Sequence, residues 1–360
     1  MRRTVLLLGD INLLGVADPE VPFARVADTL ARADVVLANL ECCFYEPDGA
    51  RDVHHREGFY ASPRVASALR LAHVDAVGHA NNVTYGADAI RSTLDVLDAI
   101  GMPHTGAGLD AAAARAPAVV EHEGLRIGFL QRTSVFWPTD HIAGPNSPGV
   151  ATIRGHTAYR PRMEVSKAAT RPGAPPEILT WADRGDLDAY LDDLRALRGD
   201  VDLLVASQHW GYGGEVLEYQ SEIAHAVIDA GADVVMGHGP HESLPVEIYR
   251  DRPIFYGLGG FSFDIGHRGR KHGDWLGMMP RLVFDGVRLV EAAFRPVRHN
   301  ERNETWFPRP ASERDELLPL AENSHALGAT LEFDEEEILV RLPGIVGSPS
   351  AVTASRQQGE

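Results

Sequence analysis

The sequence predicts a layered α/β domain whose chemistry sits at the carboxyl ends of buried strands. Three observations lead there. Short apolar runs recur along the chain, stretches with helical spacing lie between them, and polar residues follow several runs immediately. The apolar runs fall at residues 4–8, 35–37, 76–77, 127–130, 203–207, 234–236 and 254–256. A strand covered on both faces has no polar alternation, so each run reads as a buried strand. Amphipathic spacing places helices at 21–33, 62–71, 87–100, 187–197 and 221–230. Strands alternating with helices imply layers, with sites where strands end in loops.

The segment 136–176 breaks this rhythm. It is rich in Pro, Gly, His and Thr and reads as a long surface insertion, either a wall for substrate or a plain excursion. Further on, strands are expected at 281–284 and 289–294, a helix at 312–327 and a last strand at 330–342. The expected organisation is a main domain over 1–310, a helix and strand over 311–346 packing on it, and a disordered Ser/Gln-rich tail over 347–360.

Composition narrows the function. With 360 residues and 44% hydrophobic content the chain can bury a large core. Asp and Glu number 51 against 34 Lys and Arg, a net charge of −17. That balance excludes nucleic acid and anionic membrane surfaces as expected partners. Arg2 and Arg3 precede an apolar run that ends at Gly9-Asp10, too short for a leader, and no apolar stretch reaches the roughly 18 residues a span needs. The two cysteines, Cys42 and Cys43, are adjacent, which suits neither a disulfide nor a zinc site of their own. A reducing cytoplasm is the expected setting.

Five strand ends carry the candidate chemistry. Gly9-Asp10-Ile11-Asn12 and Asn39-Leu40-Glu41 each place a carboxylate just past a strand, where it could hold a metal ion or, more simply, make a turn. His79-Ala80-Asn81-Asn82 offers amide oxygens that can complete a metal shell or brace a turn. The fourth is Gln208-His209-Trp210-Gly211, and the fifth is Gly237-His238-Gly239-Pro240-His241. Two histidines separated by Gly-Pro beyond a buried strand are hard to explain by packing, whereas converging neutral imidazoles suit a transition metal or zinc.

Taken together with Ile254-Phe255-Tyr256-Gly257-Leu258-Gly259-Gly260-Phe261 and Gly106-Ala107-Gly108, these motifs resemble the CapA family. That family is named for poly-γ-glutamate capsule synthesis and is related to the calcineurin-like metallophosphatases; the likeness covers roughly residues 4 to 300. It implies a four-layer αββα sandwich of the metallophosphatase type with one or two divalent ions, among which Mn, Zn, Ca, Mg and Fe are not distinguished. It also implies metal ligation by Asp10, Asn12, Glu41, Asn82, His209, His238 and His241. Asn39, Asn81 and Trp210 are the expected substrate contacts.

The chain departs from its family at two places. The family's Asn pair is normally followed by a histidine that assists the leaving group, but here Val83 follows, and Gly260 stands where the family tends to have Asn. Losing a general acid costs a factor of about a hundred to ten thousand in rate. Chemistry without a leaving group is therefore favoured, and a branch of CapA-like proteins from lasso-peptide clusters supplies one: inversion of the Cα of a precursor peptide's C-terminal residue. On that reading Asp10, His79 and His299 are the acid–base candidates, and the partner is a peptide or small acidic substrate. The alternatives are a metal-dependent phosphoester hydrolase, with His79 as the acid, and an accessory protein of poly-γ-glutamate biosynthesis. The accessory role calls for a tether and a basic groove; the one concentrated cationic run, residues 267–272, reads as a solvated loop.

Overall fold

The apolar run after Arg3 forms the central strand, Arg2–Asn12, of a ten-stranded sheet. On one side it pairs in parallel with Val35–Leu40, which is followed by Ala76–Gly78 and His104–Thr105. On the other it pairs antiparallel with Gly277–Asp285, followed by Arg288–His299, Ile338–Arg341 and Thr330–Phe333. This computed structural model describes residues 1–47, 58–164, 169–170, 172–266, 271 and 275–342. The tail expected over 347–360 and most of the cationic run 267–272 lie outside the described residues.

A second, six-stranded sheet runs in the order Ser243–Tyr249, Arg252–Leu258, Val234–His238, Leu203–His209, Leu125–Thr133, Ala118–His122. Side chains alternate across a strand, so each sheet presents two apolar faces. Val5, Leu7, Val35 and Leu37 of the first sheet meet Ile127, Phe129, Val205 and Met236 of the second. The alternate residues Leu6, Leu8, Val36 and Ala38 face Leu30, Leu69 and Leu97 on the outer helical layer. On the far side, Leu204, Ala206 and Val235 are covered by Leu187, Leu194, Ile223 and Val227 from the helices Arg184–Arg198 and Glu218–Asp229. The result is helix, sheet, sheet, helix: the four-layer α/β sandwich expected from the family likeness.

Several elements differ from the sequence expectation. Only Ala27–Leu30 is α-helical within 21–33, and 62–71 opens with a 3-10 turn at Pro63–Ala66. The run 330–342 is a hairpin, turned where Asp334, Glu335 and Glu336 stay exposed, while Glu337 turns in to pair with Arg281. Within 136–176, Gly149–Val150 pairs with Ala107–Gly108, and Gly155–Arg160 starts an arm that returns through Glu177–Ala182. That arm is exposed along most of its first strand, so it shows no apolar alternation for a sequence pattern to detect. Among the described residues no helix is long and apolar enough to cross a membrane.

Candidate metal centre

The parallel strands of both sheets stop along one edge of the sandwich, and the candidate ligands sit where they stop. Asp10 is placed by a bulge: the pairing of the first strand with Val35–Leu40 slips between Leu8 and Asp10, and its pairing with Gly260–Phe263 slips again after Asp10. Bulges re-aim side chains. Gly9 is required at the approach, since a Cβ there would lie 2.1 Å from the Gly259 carbonyl oxygen. Glu41 follows the neighbouring strand directly, its amide held by the Ile11 carbonyl at 2.8 Å. From the second sheet, His209 and His238 are the last residues of adjacent strands and lie in register.

His241 reaches the same point by a tight turn. Gly239 has φ +116° and His241 itself φ +61°, a left-handed conformation that is uncommon for a non-glycine residue and is found at functional sites. Its ring stacks on Trp275 at 5.7 Å and lies 4.4 Å from that of Phe263.

The resulting cluster is buried and mixed in chemistry. His241 Nδ1 is 2.9 Å from Asp10 Oδ2, and His238 Nδ1 is 3.3 Å from Asp10 Oδ1. His241 Nε2 is 3.5 Å and His209 Nε2 3.8 Å from Glu41 Oε1. Ligand atoms of Asp10, Glu41 and His241 all lie within 4.8 Å of one another. His209 is oriented by Thr133, whose hydroxyl is 3.0 Å from its Nδ1, leaving Nε2 turned toward Glu41.

Electrostatics set the two carboxylates apart. Burial acts to raise the Asp10 pKa, but hydrogen bonds and positive charge from His238 and His241 outweigh it and hold the carboxyl below the ordinary range. Burial and then the Asp10 charge push Glu41 well up, although His241 opposes them. Burial lowers His238, and it lowers His209 to about 4. Burial also works against charge on His241, yet the charges of Glu41 and Asp10 and the bond to Asp10 raise it overall.

The donor set fits a divalent cation. Buried polar atoms need partners, and among the described residues neither His238 Nε2 nor His209 Nε2 has a hydrogen-bond partner. Two carboxylates and three imidazoles meeting out of water suit a transition metal or zinc. Asp10, Glu41, His209, His238 and His241 are the residues that would hold it.

The other expected site residues fall elsewhere or behind this shell. Asn12 spends its amide locally, donating to the Ile265 carbonyl at 2.7 Å and accepting from the Leu14 amide at 2.9 Å. Asn39 stands directly behind the carboxylates, donating to Asp10 Oδ1 at 2.7 Å and to Glu41 Oε2 at 3.4 Å. Asn81 donates to the Leu40 carbonyl at 2.7 Å, and its Oδ1, like Asn82 Oδ1, is buried without a hydrogen-bond partner among the described residues. Trp210 is wholly buried, its indole N–H bonded to the Tyr256 carbonyl at 2.8 Å; it faces the core, not a substrate. His79 is also enclosed, with Nε2 3.1 Å from the Cys42 carbonyl and a pKa lowered by burial to about 3. His299 ends its strand close to Gly260, where a Cβ would stand 3.4 Å from its Nε2. Val83, in place of the family's histidine, packs in the apolar layer outside the first sheet.

Sequence reasoning passed over Gln131, Thr133, Phe263 and Trp275. The first two carried a usable signal, being polar residues at the end of the apolar run 127–130; the aromatic pair carried none, because only the fold brings them to His241. His141 was also missed. It is buried and neutral, Nδ1 accepting from the Trp137 amide at 2.9 Å and Nε2 lying 3.0 Å from the Thr84 carbonyl. Burial lowers its pKa from 6.5 to about 4. The unfolded chain therefore binds this proton before the folded one does, and stability falls as pH drops from about 6.5 to about 4. His141→Gln should flatten that part of the melting-temperature profile; an unchanged slope would show that His141 does not contribute to it.

An uncharacterised protein of Sinorhizobium fredii is 27% identical over 304 residues, covering 72% of this chain and 66% of its own length. The capsule biosynthesis protein CapA of Bacillus anthracis is 25% identical over 278 residues, covering 74% and 61%. A probable polyglutamine synthesis accessory protein of Mycobacterium tuberculosis is 31% identical over 198 residues, covering 54% and 45%. The chain thus spans about two thirds or less of the length of these relatives. The family described as bacterial capsule synthesis protein PGA_cap matches residues 4–265, through every strand end that builds the centre, and this chain belongs to that family.

Proposed function

We propose that this chain is a divalent-metal-dependent protein acting in the synthesis of an anionic polymer of the poly-γ-glutamate kind, gripping a carboxylate-bearing chain at the centre around Asp10. The observation that carries the proposal is the convergence of two buried carboxylates with three imidazoles, His238 Nε2 and His209 Nε2 having no hydrogen-bond partner among the described residues. An acidic protein of net charge −17 repels an anionic chain in general, so recognition of one requires a local cation. The chemistry such an ion supplies when bound is Lewis-acid polarisation of a carboxylate or amide carbonyl. Asp10 and Glu41 would hold it from the first sheet and the histidines from the second, while Trp275 and Phe263 wall the His241 side.

The names of the relatives support this polymer role. Neither they nor the family bear on peptide epimerisation. Cα proton exchange remains as a second reading because of one local arrangement: Gly260 lies in register with Asp10, and its missing side chain leaves room beside His299 Nε2. On that reading Asp10 and His299 exchange a proton with the α-carbon of a peptide's terminal residue. Phosphoester hydrolysis is the least supported, since Val83 occupies the acid position in the core and His79 is turned to the Cys42 carbonyl.

The test is calorimetric binding of poly-γ-glutamate oligomers to protein loaded with Mn2+ or Zn2+, repeated after chelation. Binding that needs the ion is expected, and binding that is absent, or equal with and without it, would overturn the polymer reading. Incubation of a peptide in heavy water separates the second reading, which requires deuterium at one α-carbon. Steady turnover of aryl phosphates would instead restore the hydrolase.

A further inference from the structure

Between the two sheets, directly behind the centre, lies a buried chain of amides. Gln131 leaves the end of Leu125–Thr133 and crosses to the other sheet, its Nε2 donating to Asn39 Oδ1 at 2.8 Å and lying 3.2 Å from Ser207 Oγ. Its Oε1 accepts from the Ala80 backbone N–H at 2.5 Å. Asn39 in turn donates to Asp10 Oδ1 and Glu41 Oε2. Gln131, Asn39 and both carboxylates are buried.

The polarity of this chain is fixed at both ends. A backbone N–H can only donate, so Gln131 must turn its oxygen to Ala80 and its amide nitrogen to Asn39. Asn39 must then accept from Gln131 and present its own nitrogen to the carboxylates. The surroundings are cleared for this glutamine: a Cβ on Gly78 would lie 2.5 Å from Gln131 Cδ, and one on Gly106 would lie 2.7 Å from the Ala80 nitrogen and 3.1 Å from Gln131 Oε1. A strand end at Gly78 and the bend at Gly106 thus carry glycine where any larger residue would crowd this glutamine.

We infer that Gln131 is a positioning residue that acts through Asn39 to hold the carboxylates of Asp10 and Glu41 aimed for metal, joining them across the sheets to the histidine strand through Ser207. The inference rests on the metal reading of the centre. Partners behind a metal ligand typically contribute about ten- to a hundredfold in affinity.

The test compares wild type with Gln131→Glu, nearly the same shape, and with Gln131→Leu. A carboxylate at 131 accepts from Ala80 but offers Asn39 no proton, so Asn39 must flip and present its oxygen to Asp10. Both variants should bind Mn2+ about ten- to a hundredfold more weakly by calorimetry. In the metal-free protein, 15N spectra should show slowly exchanging Asn39 side-chain amide protons in wild type, shifted in resonance in Gln131→Glu, where they turn to the new carboxylate, and exchanging faster in Gln131→Leu. Melting temperature in chelator identifies a variant that has lost its fold, in which case the other decides. If wild type takes up no Mn2+ while the Asn39 signal still depends on Gln131, the metal reading fails and the relay stands. Wild-type Mn2+ affinity and an unchanged Asn39 signal in a folded variant would overturn the relay.

Discussion

Asp10→Asn should abolish tight metal binding while leaving the fold in place. Asparagine keeps the size of the side chain but removes the charge that lies 2.9 Å from His241 Nδ1 and 3.3 Å from His238 Nδ1. Its amide oxygen can still accept from Asn39, which donates to Asp10 Oδ1 at 2.7 Å, but its NH2 then replaces the carboxylate oxygen that faces His241. His238 and His241 would then have no anion from Asp10, and Glu41, pushed well up by burial and its neighbour, is a poor substitute. A fall in Mn2+ affinity of at least about a hundredfold is expected, or roughly 3 kcal/mol. Metal analysis of the purified variant with calorimetric titration checks it. Full metal content at wild-type affinity would place the ion somewhere other than this cluster.

Gly9→Ala should disable the same centre by a different route. The added methyl would stand 2.1 Å from the Gly259 carbonyl oxygen and 3.2 Å from that of Leu258. The obstacle is backbone, so no rotamer change relieves it. The Gly259 carbonyl also accepts the Asp10 amide at 2.9 Å, and relief of the clash pulls this bond apart. Overpacking costs about 1–3 kcal/mol, occasionally more, and a contact with no flexible partner belongs at the upper end. The variant should melt well below wild type and lose metal affinity together with stability. Ala at position 9 with unchanged melting temperature and metal content would mean that the strand can shift freely, contrary to the bulged pairing on both sides of Asp10.

These two substitutions show how differently sequence and structure speak about one site. Asp10, Glu41, His209, His238 and His241 were legible because each follows an apolar run, and a polar residue at a strand end has few packing reasons to be there. Asn12 followed the same rule and proved to brace its own loop, since a strand-end position says nothing about where a side chain turns. Trp210 sat beside a candidate ligand, yet its indole N–H finds the Tyr256 carbonyl inside the core. Adjacency in sequence cannot separate two neighbours that point to opposite faces of a strand end.

The sequence by itself determined the layered class, the buried strands that lead to the site, and the five residues whose donors gather at the sheet edge. Buried strands and polar strand ends are local patterns, set by solvation of a few consecutive side chains. Tertiary structure alone decided which sheet faces which, that Gln131 reaches through Asn39 to the carboxylates, that Val83 belongs to the core, and that Trp275 stacks on His241. The Trp275–His241 and Gln131–Asn39 contacts join residues 34 and 92 positions apart, and no local rule of spacing encodes contacts that exist only once the two sheets have packed.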